Sequence, residues 1–129
     1  MEPKDKPSFF DQVHTLKLIK PKQWVLLVDS KRDVSATLVC RTPDQFLMTK
    51  DIISKFQIVI FANNLKQAPG GAKLLKTMLD EWGTRPREVW TICSDMYVKK
   101  AMHQSLISKG YSKSPQKIRY AGQEFNRYY

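Results

Sequence analysis

The chain is short of acid and short of the residues that most often carry chemistry. Its 129 residues hold 12 Asp or Glu against 22 Lys or Arg, and only two Cys and two His. Neither Cys40 nor Cys93 has a second Cys or a His at metal-ligand spacing, which argues against a zinc site. Both stand in apolar, strand-like contexts, so buried free thiols are expected. No stretch approaches the length of a membrane span. The polar start, Met1-Glu2-Pro3-Lys4-Asp5-Lys6-Pro7, has no apolar core of a secretion signal. A cytoplasmic protein without a membrane partner is expected. There is no internal repeat, no low-complexity segment, and no helix-turn-helix or zinc-finger pattern. The loop Lys66-Gln67-Ala68-Pro69-Gly70-Gly71-Ala72-Lys73 lacks the Gly-x-x-x-x-Gly-Lys-[Ser/Thr] spacing of a phosphate loop. No cofactor and no metal are expected.

What remains is basic. The formal charge of +10 points to a polyanionic partner, nucleic acid ahead of an anionic membrane. A solvated basic surface with no partner is the alternative. The charge is uneven: no acidic residue occurs from Met96 to Gln123. Residues 96–129 carry Lys99, Lys100, Lys109, Lys113, Lys117, Arg119 and Arg127 against Glu124 alone, which is +6 of the +10. Tyr97, Tyr111, Tyr120, Phe125, Tyr128 and Tyr129 interleave with them. Cations beside exposed aromatics are what single-stranded nucleic acid uses, with phosphates on the charges and bases on the rings. Lys99, Lys100, Lys109, Lys113, Lys117, Arg119, Tyr97 and Tyr120 are therefore the candidate binding residues. The competing reading is a solvated face whose tyrosines pack in the core.

Hydrophobic patterning gives an α/β chain. Trp24-Val25-Leu26-Leu27-Val28 is a continuous apolar run, as in a strand buried on both faces. Ala36–Cys40 reads as a second strand, Phe56–Phe61 as a third and Glu88–Ile92 as a fourth. Lys117–Tyr120 makes a plausible fifth. Thr42-Pro43-Asp44-Gln45 is a helix start with a capping box, and its helix should turn Phe46, Leu47, Ile52 and Ile53 inward. A second helix carries Leu75, Met78, Leu79 and Trp82 and ends at Gly83. A third, capped by Ser94 or Asp95, buries Val98, Ala101, Met102 and Leu106 and ends at Gly110. Residues 1–22 form an extension with a short docked helix on Phe9, Val13 and Leu16, and 23–129 form one domain. Strands alternating with helices imply a mostly parallel sheet with right-handed crossovers.

From Trp24 to Tyr111 the order of short motifs resembles the cyclic-phosphate-processing receiver-like domains. The matching stretches are Val28-Asp29-Ser30, then Arg41-Thr42-Pro43-Asp44-Gln45-Phe46, then Ala62-Asn63-Asn64-Leu65-Lys66. They continue through Gly71, Leu74-Leu75, Pro86, Cys93-Ser94-Asp95-Met96 and Gly110-Tyr111. The resemblance implies a three-layer, receiver- or flavodoxin-like sandwich with a mostly parallel five-stranded sheet. It also implies an activity on cyclic phosphates, RNA ends being one source of them. That activity is expected to use an acidic pair, an Asp-His-Asp and a His-Ser. Here Ser30 replaces the second acid, Ala62-Asn63-Asn64 replace the Asp-His-Asp, and Cys93 replaces the His. Asp29 and Ser94 alone match, as remnants of a catalytic site. One carboxylate among neutral amides is a poor Mg²⁺ site, and neither His aligns with the family position. The chain resembles a degenerate member.

At the strand ends Asp29, Asn63, Asn64 and Ser94 are expected to converge as a polar pocket for a phosphate or a base edge. Turn and cap hydrogen bonding by the same residue types is the structural alternative. Cys93 as a nucleophile lacks a neighbouring base. The leading expectation is a non-enzymatic protein that binds RNA or another single strand. An enzyme acting on cyclic phosphates or RNA ends, and a protein-interaction module, stand behind it.

Overall fold

A computed structural model describes residues 7–32, 35–62 and 70–129. The apolar run after Trp24 becomes β1 (Val25–Val28), and it lies inside the sheet. It pairs in parallel with β2 (Leu38–Cys40) on one side and with β3 (Ile58–Ala62) on the other. β3 continues in parallel to β4 (Glu88–Ile92). With a neighbour on both sides and apolar groups on both faces, β1 and β3 need a near-unbroken hydrophobic sequence.

Thr42 caps α2 (Pro43–Leu47): its Oγ1 accepts the Gln45 N–H at 3.1 Å, and Pro43 fits the first turn. The Gln45 side chain reaches back to the Arg41 N–H at 2.6 Å, closing the box one residue early. α2 is short. Ile52 and Ile53 are reached through a turn and a 3₁₀ segment, Ile53–Lys55. They are buried with Phe46, whereas Leu47 is exposed, contrary to the even inward pattern expected.

α3 (Gly71–Lys76) passes into a π-helical turn, Thr77–Glu81, closed by the Trp82 N–H on the Thr77 carbonyl. That turn lets Leu75, Met78 and Leu79 stay buried while Trp82 stacks on Phe46 at 5.1 Å. Gly83, at φ +64°, ends the helix where an L side chain is disfavoured. α4 (Met96–Ser108) is capped by Asp95, whose Oδ1 accepts from the Tyr97 and Val98 N–H groups. It buries Met102 and Leu106. Ala101 is exposed, another departure from expectation.

At the N-terminal end, α1 (Phe9–Lys17) packs on the core through Val13, Phe9 and Leu16. The Lys55 ammonium holds its end, donating to the Leu16, Lys17 and Ile19 carbonyls at 2.9, 2.8 and 3.1 Å.

The sheet differs from expectation in number and in layering. It has six strands, in the order β2-β1-β3-β4-β6-β5, with β5 at Ile118–Tyr120 and β6 at Gln123–Tyr128. β6 runs antiparallel to β4 and also to β5. Its mixed sequence, Gln-Glu-Phe-Asn-Arg-Tyr, hides a strand that reads as a polar tail. The described helices all bury their apolar residues on one face, among Leu26, Val28, Val59, Phe61 and Val89. The opposite face, built on Leu27, Ile60, Trp90 and Phe125, has no helix over it among the described residues. The three-layer stacking is therefore not seen among them.

The β5–β6 hairpin closes that second face. Ala121 and Gly122, at φ +51° and +80°, form its two-residue turn, as type I′ hairpins require. β6 pairs with β5 near its start and with β4 near its end. Tyr120 packs edge-on against Trp90 at 5.4 Å. The far end of the hairpin reaches the β1–β2 connection, where Arg32 Nε donates to Gln123 Oε1 at 3.4 Å.

Candidate functional site

The carboxyl ends of the parallel strands come first, because ligands of open α/β sheets bind there. Asp29 follows β1 and is fully buried. Its Oδ2 accepts from Arg32 Nη1 at 2.8 Å, and its Oδ1 accepts the Lys31 N–H at 3.0 Å in an Asx turn. Arg41 Nη1 donates to the Asp29 and Arg32 carbonyls at 3.2 and 2.7 Å. The Asp29 carboxylate is thus enclosed in a turn with Arg32 and Arg41. Ser94 is exposed after β4, with β3 lying between its strand and that of Asp29. Asn63 and Asn64 lie outside the described residues, and with them the expected convergence of the polar pocket. Cys40 is buried, which pushes its thiol pKa far up. Cys93 is half-buried rather than buried, and its thiol points to the Asp95 carbonyl at 3.6 Å. Among the described residues no three His, Cys, Asp or Glu side chains group as a metal site.

The eight candidate binding residues separate into four places. Lys99, Lys100 and Lys113 come together. They line a cavity of about 360 Å³ with Met96, His103 and Tyr128. Lys109 turns elsewhere and pairs with Asp80 at 3.0 Å. Lys117, Arg119 and Tyr120 sit on or beside the hairpin, where Arg119 meets Glu124 at 3.6 Å. Tyr120 is half-buried on Trp90, and its ring serves the second core. Tyr97, in the first turn of α4, is 85% exposed.

The cavity is built by helix periodicity and one short bridge. Met96, Lys99, Lys100 and His103 fall at i, i+3, i+4 and i+7, one stripe of α4. Lys113 arrives from the other side, through its bridge to Tyr128 at the end of β6. Tyr128 forms the floor: it is buried, its hydroxyl pairs with His103 Nδ1 at 2.8 Å, and burial raises its pKa. None of the six lining residues is a carboxylate. Sequence reasoning missed Met96, His103 and Tyr128 here. The helical stripe carried a signal for the first two, whereas Tyr128 needed β6 to be recognised as a strand.

A second basic place lies on the loop before β4. Arg85 sits over the Tyr111 ring at 5.5 Å, and the Tyr111 hydroxyl donates to the Pro86 carbonyl. Burial raises the Tyr111 pKa, with Arg85 pulling the other way. Arg85, Pro86, Arg87, Gly110, Tyr111 and Tyr129 line a cavity of about 350 Å³.

No described helix is long and apolar enough to cross a membrane. Comparison with family models, with curated proteins and with solved structures returns no match for this chain.

Proposed function

We propose that this protein binds single-stranded nucleic acid, RNA foremost, and does so without catalysis, through the outer face of α4. The observation that carries this reading is the grouping of Lys99, Lys100 and Lys113 around one cavity with no carboxylate in its lining. Three ammonium groups held together lose mutual repulsion when a phosphate chain enters. That chain releases its own counterions in turn. Tyr97 supplies an exposed ring at the start of the same helix, and base–tyrosine stacking is worth about 1–3 kcal/mol per base. The enclosed state of Asp29 supports a binding role over a catalytic one. A fully buried carboxylate already paired with Arg32 is poorly placed to meet a substrate.

The fold is read, by the same proposal, as a degenerate receiver-like domain. The run β2-β1-β3-β4 follows the flavodoxin-like order 2-1-3-4-5, with antiparallel β6 where the fifth parallel strand belongs.

The test is binding of short labelled single-stranded RNA, single-stranded DNA and duplex DNA across a salt series. Tight RNA binding near physiological salt is expected. In the Lys99→Glu, Lys100→Glu double variant, affinity should fall and the log–log salt slope should shrink by about 1.4, two phosphate contacts on a single strand. Unchanged affinity in that variant would remove the α4 face from the proposal. Equal, steeply salt-dependent binding of all three polymers would reduce it to non-specific electrostatics.

A further inference from the structure

Tyr128 lines the α4 cavity, and Tyr129, the next residue, lines the Arg85–Arg87 cavity. The two basic places are thus not independent patches. Their linings adjoin at consecutive residues, whose Cα atoms are about 3.8 Å apart. The opposing segment also lines both, Lys113 the first cavity and Tyr111 the second. A ladder fixes these two segments to each other. The Ser112 and Tyr129 N–H groups exchange bonds with each other's carbonyls at 2.8 and 3.0 Å, and the Ser114 N–H donates to the Arg127 carbonyl at 2.8 Å. Neither cavity has an Asp or Glu side chain in its lining.

We infer that the two cavities form one track, and that the ligand is a single strand several nucleotides long bent around the end of β6. This rests on the α4 face being a nucleic-acid site, as proposed above. Successive residues of an extended chain face opposite sides, so Tyr128 and Tyr129 turn their rings to opposite sides of the ladder. A chain occupying both must turn over the Ser112–Ser114 edge. A duplex, with a persistence length of about 50 nm, stays straight on that scale. A single strand turns readily. Tyr129, 51% exposed and braced by Arg127 at 5.0 Å from its ring, offers a base platform at the far side. Arg87, exposed beside it, offers the phosphate contact.

The test compares uridine oligomers of about 4 and about 12 nucleotides, the span of site sizes for compact single-strand-binding folds. The Arg87→Ala, Tyr129→Ala double variant is measured beside the unaltered protein, with thermal unfolding confirming that both are folded. Arg85 is left in place because it packs on Tyr111. The expected result is about a tenfold loss for the longer oligomer, the cost of one stacked base and one phosphate contact, and less than about twofold for the shorter. Matched deoxythymidine oligomers should respond in the same way, and a duplex of the same length should not. Equal affinity of variant and parent for the longer oligomer would overturn the track. If the shorter oligomer still binds and still responds to Lys99→Glu, Lys100→Glu, the α4 site survives that result. If no oligomer binds the unaltered protein, both proposals fall.

Discussion

The Tyr120 hydroxyl donates to the Ser35 carbonyl at 2.8 Å, joining the tip of the last hairpin to the first connection of the sheet. The bond crosses 85 positions of sequence, and the Tyr120 ring beneath it covers Trp90. Tyr120→Phe should cost about 1 kcal/mol, the net worth of one hydrogen bond. Tyr120→Ala should cost about 3–5 kcal/mol, because it also uncovers the second core. Urea titration followed by Trp fluorescence separates the two. Equal losses would mean that the hairpin is held by its turn alone.

That turn can be improved. Ala121 holds φ +51°, a conformation that costs a residue with a Cβ about 1–2 kcal/mol. Asn followed by Gly is the preferred pair for a type I′ turn. Ala121→Asn should therefore raise stability by about 0.5–1 kcal/mol, read as a higher Tm. A lower Tm would count against the turn geometry.

Lys55 does the work of a helix C-cap from a distant segment. Its ammonium meets three carbonyls at the end of α1 and lies 5.8 Å from the Trp24 ring. Lys55→Met should release α1 more than it destabilises the sheet. Amide exchange across residues 9–17 should quicken by about tenfold, the effect of losing a charged bond worth about 1.5 kcal/mol. Uniform acceleration across the whole chain would refute a local role.

Asp29 and Arg32 hold together the turn that follows β1. Arg32→Met leaves the buried carboxylate with its backbone partner but without its ion pair, a change that should cost about 3–5 kcal/mol in a denaturant titration. A loss under about 1 kcal/mol would mean that the turn does not depend on the pair.

Glu88 gives the fold a dependence on pH. Arg127 grips it at both oxygens, 2.8 and 2.9 Å, and the Trp90 indole N–H adds a third bond at 2.9 Å. Hydrogen bonding from Arg127 is the largest cause that holds its pKa below the ordinary value, with burial opposing. A depressed folded-state pKa contributes stability above the unfolded value of about 4.3. That contribution is lost as pH falls through the folded pKa. Unfolding free energy should accordingly drop more steeply below about pH 4.3 in the parent than in Glu88→Gln. Parallel curves would exclude Glu88 as the source.

The parallel half of the fold was legible because its signals are local. Trp24–Val28 is continuous in apolar residues, Thr42-Pro43 starts a helix by its own chemistry, and Glu88–Ile92 became β4 with those bounds. Of the hairpin only β5 was legible, as the strand read at Lys117–Tyr120; β6 was not, because it mixes Phe125 and Tyr128 with Glu124, Asn126 and Arg127 out of strand period. Its burial comes from two partners, β4 and the second core, that lie far off in sequence. The same blind spot hid half of the candidate site. Lys99 and Lys100 are evident as outward charges on an amphipathic helix, but their union with Lys113 depends on the Lys113–Tyr128 bridge. Tyr120 looked like one more exposed ring among cations. Only the position of Trp90 beneath it shows why it is not.

The one-sided placement of the described helices predicts an order of assembly. The face of Leu26, Val59 and Val89 receives its cover from helices that alternate with its own strands, through short-range contacts. The face of Leu27, Ile60 and Trp90 waits for the hairpin, whose bond to Ser35 closes a far longer loop. Non-local closure is slow. Until it happens, the half-built sheet shows a strip of Leu, Ile and Trp to water and β4 shows an unpaired edge, the features that make a folding intermediate prone to aggregate.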